Sequence, residues 1–185
     1  MTICIFPGTF NPIHIAHIKM AQFALQKYGF EKIIFIPAYI PPHKQVDSSL
    51  AKHRYNMVKL VCDKTSGLEV SDIEYKSENT SYTLITVKKI IEQYNISGRL
   101  NFIIGTDAFS KIRSWYNIDE LKNLVHFIVF PRGKDTINKN DFEDFSFELA
   151  DTDKIDVSST EMRETHKGKT AKEVEEYIAK NKLYN

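Results

Sequence analysis

The sequence contains little cysteine, almost no net charge and no long apolar segment, and each shortage excludes a class of protein. Its two cysteines, Cys4 and Cys62, lie within apolar segments, which indicates buried free thiols in a reducing compartment rather than a disulfide framework. Lys and Arg number 25 against 24 Asp and Glu, so the net charge of +1 gives no broad field for binding nucleic acid or an anionic membrane. No apolar run approaches transmembrane length. A short apolar segment, not a basic leader, opens the chain, so we expect no secretory signal and a cytoplasmic protein.

Apolar runs of strand length alternate along the chain with segments of helical periodicity. With 185 residues and 42% hydrophobic content, the chain can bury one substantial core, and a single domain over residues 1–185 is predicted. The alternation predicts an α/β fold, a doubly wound parallel sheet with helices on both faces. A segment without clear period, 133–147, is expected to be irregular. The predicted strands are 3–6, 31–38, 68–72, 100–107 and 126–132, and the predicted helices are 18–28, 51–64, 82–94 and 119–124.

The stretch "FPGTFNPIHIAH", residues 6–17, forms the predicted turn between the first strand and the first helix. Ligands of such sheets bind outside the carboxyl ends of the strands. Gly8 allows close approach of the backbone to a ligand, while Pro7 and Pro12 restrict the turn. His14 and His17, three residues apart, share one face of the first helical turn, where unpaired amides and the helix dipole favour an anion. The turn therefore predicts an anion-binding corner with imidazole donors.

Zinc binding is the alternative reading of these histidines. His14 and His17 could bind zinc together with His43, but no cysteine or carboxylate cluster accompanies them in the sequence. Phosphate binding fits the context better, and no residue is assigned to a metal.

Two motifs in this order resemble those of the nucleotidylyltransferase superfamily. The first runs from Gly8 to His17, and the second is "VSSTEMR", with Ser158, Ser159, Thr160 and Arg163. The resemblance is strongest to bacterial nicotinate mononucleotide adenylyltransferases and covers nearly the whole chain, through "PAYIPPHK", "SYTLITV", "IIGTDAFSKIRSWY", "FPRG" and "VEEYIAKNKLY". Three positions depart from the family pattern, which usually has glycine, aspartate and glycine where this chain has Pro7, Asn11 and Ala16.

The resemblance implies a Rossmann-like fold and transfer of AMP from ATP, with Mg²⁺, to nicotinate mononucleotide. It implies catalytic roles for His14, His17 and Arg163. The implied ATP-binding residues are Gly8, Thr9, Phe10, His14, His17, Ser159, Thr160 and Arg163. Those implied on the acceptor side are Lys44, Thr83, Asp107, Trp115 and Tyr116, with Lys44 reaching a phosphate, Trp115 stacking on the nicotinate ring and Asp107 accepting from ribose hydroxyls.

Two other functions stay open from sequence. "PGTF" also resembles phosphopantetheine adenylyltransferase, although His14, "SYT" and Trp115 favour the nicotinate enzyme. A nucleotide-binding sensor without turnover is the alternative from a different class, and the intact motifs argue against it. The expected partners are therefore ATP and nicotinate mononucleotide, without nucleic acid or membrane, and a homo-oligomer is left open.

Overall fold

The computed structural model describes residues 2–42, 47–76, 81–132, 134–153 and 169–184. Its strands form one parallel sheet of six, in the order β3-β2-β1-β4-β5-β6. The strands are β1 (Ile3–Gly8), β2 (Lys32–Pro37), β3 (Leu68–Val70), β4 (Leu100–Gly105), β5 (Val125–Phe130) and β6 (Phe147–Leu149). The helices are α1 (Ile15–Tyr28), α2 (Ala51–Cys62), α3 (Thr83–Gln93), α4 (Thr106–Phe109), α5 (Ile118–Leu124) and α6 (Lys172–Lys180).

Side chains of the central strands alternate between two apolar cores, one on each face of the sheet. Cys4 and Phe6 of β1 belong to the core shared with α1, α2 and α6. Ile3 and Ile5 belong to the core shared with α3 and α5. This period of two is what strands covered on both faces require, and it confirms the predicted doubly wound α/β fold.

Strand β1 lies at the centre of the sheet, because it pairs with β2 on one side and with β4 on the other. Chain order therefore reverses between β1 and β4, which makes this the switch point where ligands of such sheets bind. The β1–α1 turn, the start of α4 and the segment after β5 all lie at this edge. The fold thus places the two predicted histidines next to the end of β4.

The irregular segment predicted at 133–147 contains more of the core than its sequence indicated. A 3₁₀ turn spans Lys139–Phe142, and Phe142 and Phe145 are buried against Phe109. The last residue of the segment begins β6, a strand that we did not predict. β6 is short and pairs on one side only, with β5, so it lacks the apolar run that identified the other strands.

Both cysteines are buried and free, as predicted. Burial raises the pKa of the Cys62 thiol to about 12, so the side chain behaves as a small apolar group. Within the described ranges, no helix combines the length and the apolar character that crossing a membrane demands. The assignment of the whole chain to one domain stays a prediction.

Candidate active site

Gly8 ends β1 and is followed by a tightly folded turn. A Cβ atom at Gly8 would lie 2.8 Å from the ring of Phe10, so glycine is required to make room for that ring. Phe10 has a φ of 48°, which is uncommon for a residue with a side chain, and it is 2% exposed. Its ring packs on Phe6 and Phe35. Phe10 can therefore contact a nucleotide only through its backbone.

His14 and His17 lie together at the start of α1, as their spacing predicted. Their rings stack with centroids 3.7 Å apart, and the Nδ1 atom of His17 accepts a hydrogen bond of 3.2 Å from the His14 backbone N–H. His17 also packs edge-on against Phe10. The hydrogen bond to Nδ1 places the proton of a neutral His17 ring on Nε2. His17 is 5% exposed, so most of its side chain packs against neighbouring protein groups.

The imidazole of His14 is completely buried, and neither of its ring nitrogens has a hydrogen-bond partner in the described part of the chain. Burial, with a smaller contribution from the positive charge of Arg132, lowers the pKa of His14 to about 3. At neutral pH the ring is uncharged and offers one N–H donor and one acceptor. A buried polar group without a partner costs about 1–3 kcal/mol, which a bound ligand would recover.

The expectation that unpaired amides at the start of α1 would face an anion is only partly met. The N–H group of Ile15, the first residue of the helix, donates to the carbonyl of Lys169 at 2.8 Å. The N–H of His17 donates to the carbonyl of His14 at 3.0 Å. Protein carbonyls thus satisfy two of these amides, so fewer backbone donors are available to an anion here than the helix start predicted.

Arg54, on α2, supports the loops of the site from beneath, and the sequence analysis did not single it out. Its side chain is fully buried, and its guanidinium donates to the carbonyls of Thr9 (3.1 Å), Ala38 (2.6 Å) and Tyr39 (3.0 Å). These carbonyls belong to the turn after β1 and to the loop after β2. Arg54 therefore fixes the two loops relative to each other beneath the site.

The ends of β4 and β5 meet beside the histidines. The hydroxyl of Thr106 donates to the carbonyl of Arg132 at 2.6 Å and accepts from its N–H at 2.9 Å. Asp107, predicted at the end of β4, lies just after it in α4 and is 3.9 Å from Nε of Arg132. The Oδ1 atom of Asp107 is buried without a partner in the described ranges. A Cβ at Gly105 would lie 2.5 Å from that atom, so glycine makes room for the carboxylate.

The predicted acceptor side is organised by a buried carboxylate, Glu74, that the sequence analysis did not single out. Glu74 is 7% exposed and accepts from the hydroxyl of Thr86 at 2.7 Å and from the N–H of Tyr39 at 3.3 Å. Ser81 accepts from the same N–H at 2.9 Å. Burial raises the pKa of Glu74, and the hydrogen bonds from Ser81 and Thr86 oppose that rise. The network connects the loop after β2 to the start of α3.

Thr83 is the first residue of α3, and Trp115 and Tyr116 follow the 3₁₀ turn Ile112–Ser114. The two segments come together through Tyr82 and Tyr116, whose ring centroids are 4.7 Å apart. Tyr116 is 54% exposed, whereas Trp115 is half-buried and packs against Phe102. The structure therefore brings the predicted acceptor residues of α3 and of the segment after α4 to one place.

Four predicted site residues, Lys44, Ser159, Thr160 and Arg163, lie outside the described residues, as do His43 and Ser158 of the same motifs. Of the residues that we missed, Arg132 stood in the quoted "FPRG" segment directly after an apolar strand, which was a usable signal. Arg54 and Glu74 stood in unremarkable helical and turn sequence, and their roles appear only in three dimensions.

Comparison with known proteins agrees with this geometry. The family model described as cytidylyltransferase-like matches residues 5–165. A probable nicotinate-nucleotide adenylyltransferase of Caldicellulosiruptor saccharolyticus is 36% identical, with 100% of this chain and 99% of the relative covered. One of the same description from Hydrogenobaculum sp. is 38% identical, with 100% and 98% covered. The structure of Plasmodium falciparum nicotinic acid mononucleotide adenylyltransferase complexed with NaAD superposes with a TM-score of 0.80 at 22% identity, covering 98% of this chain and 96% of that one, which shows the shared fold.

Proposed function

From the premise that the chain belongs to the cytidylyltransferase-like family and, by similarity over its full length, to the nicotinate-nucleotide adenylyltransferases, we propose that it transfers AMP from ATP to nicotinate mononucleotide. The products are nicotinate adenine dinucleotide and pyrophosphate, so the reaction belongs to NAD synthesis. An oxygen of the acceptor's phosphate forms a bond to the α-phosphorus of ATP, and the bond from that phosphorus to the bridging oxygen breaks. The electron pair leaves with pyrophosphate.

The observation that carries the proposal is the imidazole of His14, which is buried with two unpartnered ring nitrogens at the switch point of the sheet. A neutral imidazole is a hydrogen-bond donor that carries no charge into the buried turn. Phosphate oxygens are acceptors and match it. We assign His14 to the phosphates of ATP.

No general base is required in this reaction, because the second pKa of a phosphate monoester is about 6 and the attacking group is largely ionised at neutral pH. Catalysis then depends on positioning and on stabilising the charge that develops on the transferring group. His17 is suited to this role, because its hydrogen bond from the His14 N–H leaves Nε2 as the donor. Arg163, with Ser159 and Thr160, is proposed to act from the opposite side of the triphosphate.

Arg132 is proposed to line the ATP side of the site at the end of β5, and Asp107, which the resemblance assigns to the acceptor side, lies beside it after the end of β4. The buried Oδ1 atom of Asp107 lacks a partner in the described ranges and can accept from a ribose hydroxyl. Arg132 contributes a positive charge close enough to His14 to lower its pKa. The acceptor nucleotide then lies toward α3, with Thr83, Trp115 and Tyr116 around its ring and Lys44 at a phosphate.

Magnesium is proposed to enter with ATP. Mg²⁺ keeps several waters and binds nucleotides mainly through their phosphates, so it does not need a protein cage. Across the described ranges, no group of at least three His, Cys, Asp or Glu side chains is placed to hold a metal. We therefore treat the ion as part of the nucleotide substrate.

The function is tested by mixing the protein with Mg·ATP and each of three acceptors: nicotinate mononucleotide, nicotinamide mononucleotide and phosphopantetheine. Pyrophosphate release is measured, and the dinucleotide is identified by mass spectrometry. We expect rapid turnover with the nicotinate nucleotide and little with phosphopantetheine. The reverse preference would assign the chain to the sister enzyme. ATP binding without pyrophosphate release from any acceptor would indicate a sensor.

A further inference from the structure

The C-terminal part of the chain contacts the phosphate-binding turn directly. Thr170 Oγ1 donates to the carbonyl of Ile13 at 2.8 Å, and the carbonyl of Lys169 accepts from the N–H of Ile15 at 2.8 Å. Tyr184, at the other end of the segment, donates from its hydroxyl to Oδ1 of Asn11 at 2.5 Å. We call residues 169–184 the C-terminal brace.

The contacts of the brace fall at alternate positions of the turn and enclose His14. Ile13 and Ile15, the two residues next to His14, are each held by a main-chain atom or side chain of the brace. Asn11 is held from the far side of Pro12. The backbone that aims the unpartnered imidazole is therefore fixed by the brace on both sides.

The brace itself is anchored in the protein core. Val174 is fully buried and Leu183 is 7% exposed, and both belong to the core that contains α1 and α2 residues. The hydroxyl of Tyr177 in α6 accepts from Asn56 at 2.9 Å and lies 2.9 Å from Nδ1 of His53. The burial of Val174 and Leu183 gives the brace a stable position from which to hold the turn, and the hydroxyl of Tyr177 adds a polar contact with α2 that does not involve the turn.

We propose that Tyr184 is a positioning residue for the transfer of AMP, acting through Asn11 on the turn that carries His14 and His17. The turn needs such support, because it holds Phe10 at a φ of 48° and His14 in an unpartnered buried position. Conformations of this kind persist only where the surrounding structure over-determines them. A shift of the turn by a fraction of an ångström would misplace both imidazoles relative to the α-phosphorus.

The test compares Tyr184→Phe with Tyr177→Phe, which also removes one hydrogen-bonding hydroxyl from the brace but at its contact with α2. We expect Tyr184→Phe to reduce kcat/KM for ATP about tenfold, because misplacement by 1 Å can cost about 100-fold. Tyr177→Phe should stay within about twofold of the wild type. The melting temperatures of both variants are also measured. If the role of Tyr184 were merely structural, the loss of kcat/KM in each variant would parallel its loss of melting temperature.

A double-mutant cycle with Asn11→Ala identifies the route of the effect. If Tyr184 acts through Asn11, then Tyr184→Phe should cause no further loss in the Asn11→Ala background. Full additivity of the two losses, equal activity of Tyr184→Phe and wild type, or equal losses in the two phenylalanine variants would each overturn the proposal.

The kinetic arm rests on the proposed function, so a second measurement does not use turnover. Hydrogen exchange of peptides covering residues 6–17 should be faster in Tyr184→Phe than in Tyr177→Phe. If the wild-type protein forms no dinucleotide but this difference in exchange is seen, the proposed function fails, while the role of Tyr184 in holding the turn is supported. Equal exchange in the two variants would contradict that role whatever the activity.

Discussion

Replacing His17 with alanine tests catalysis and structure at once. From its position in the turn alone, the side chain would be expected to face the ligand and to matter little for stability. In the structure it is 5% exposed, stacks on His14 and accepts the His14 N–H at 3.2 Å. Alanine would leave that N–H without a partner and open a cavity beside Phe10. We expect the free energy of unfolding to fall by about 2–4 kcal/mol.

The expected effect on turnover is separate. If Nε2 of His17 donates to the transferring phosphoryl group, its removal should reduce kcat about 10²–10³-fold, as for the loss of one oxyanion-hole donor. Unfolding cannot imitate this loss at 25 °C. A domain with about 5–15 kcal/mol of stability stays mostly folded after losing about 2–4 kcal/mol.

The matched variant is His17→Asn. The Oδ1 atom of asparagine is bonded to Cγ, as Nδ1 of histidine is, so it can accept from the His14 N–H and should restore part of the lost stability. Asparagine has no atom at the position of Nε2 and therefore no donor there, and kcat should stay about 10²-fold below wild type. Urea unfolding gives the stabilities, and pyrophosphate release at saturating substrates gives kcat. A well-folded His17→Asn enzyme that turns over within a few-fold of wild type would refute the role of His17.

Four further predictions follow from other residues. The pKa of His14 is 6.5 in the unfolded chain and about 3 in the folded protein, so its contribution to the free energy of unfolding is fully present above pH 6.5 and is lost as the pH falls toward 3. Urea unfolding at pH 7.5 and 4.5 should show that His14→Gln loses about 2.7 kcal/mol less than wild type over this interval. Arg54→Met should lower the free energy of unfolding by about 3–5 kcal/mol, since it leaves three buried carbonyls unpaired at about 1–3 kcal/mol each, and Arg54→Lys should lose less; equal losses in the two variants would contradict the bridging role of the guanidinium. Glu74→Ala should raise KM for nicotinate mononucleotide more than KM for ATP, and equal changes would place Glu74 outside acceptor positioning. The resemblance implies that backbone N–H groups around Thr83 and Tyr116 bind the nicotinate carboxylate, and the NH₂ of the amide nucleotide would leave such a donor unpaired. Nicotinate mononucleotide should therefore be preferred over its amide by at least about tenfold in kcat/KM; Trp115→Ala should weaken both substrates and keep that ratio, and a changed ratio would exclude simple stacking.

The sequence predicted those parts of the fold that depend on repeated local patterns. Apolar runs such as Ile33–Ile36 identify buried strands, and alternation with helices identifies a parallel sheet. It could not identify β6, whose three residues include an exposed Glu148 and pair on one side only. Nor did it show that Phe142 and Phe145 are core residues, because an irregular backbone gives them no period.

For the site, the sequence predicted which side chains face one another better than it predicted the buried contacts that hold them in place. The spacing of His14 and His17 correctly placed both rings on one face of the helix start. It could not reveal the buried state of His17 or the contact of the helix amide with Lys169, since both depend on chain segments distant in sequence. Arg54 was hidden for the same reason: its partners are main-chain carbonyls, which leave no trace in side-chain patterns.

The partners of Arg54 have a consequence for how the protein responds to salt. Carbonyl dipoles solvate a guanidinium but carry no net charge, so the positive charge of Arg54 is offset only in part, by the buried carboxylate of Glu74 nearby. Mobile ions cannot approach a fully buried side chain, whereas at 0.1 M ionic strength they largely screen the attraction of an exposed cation for charges more than about 10 Å away. The part of the attraction for a polyanionic nucleotide that comes from Arg54 should therefore persist at ionic strengths that weaken the attraction from surface lysines.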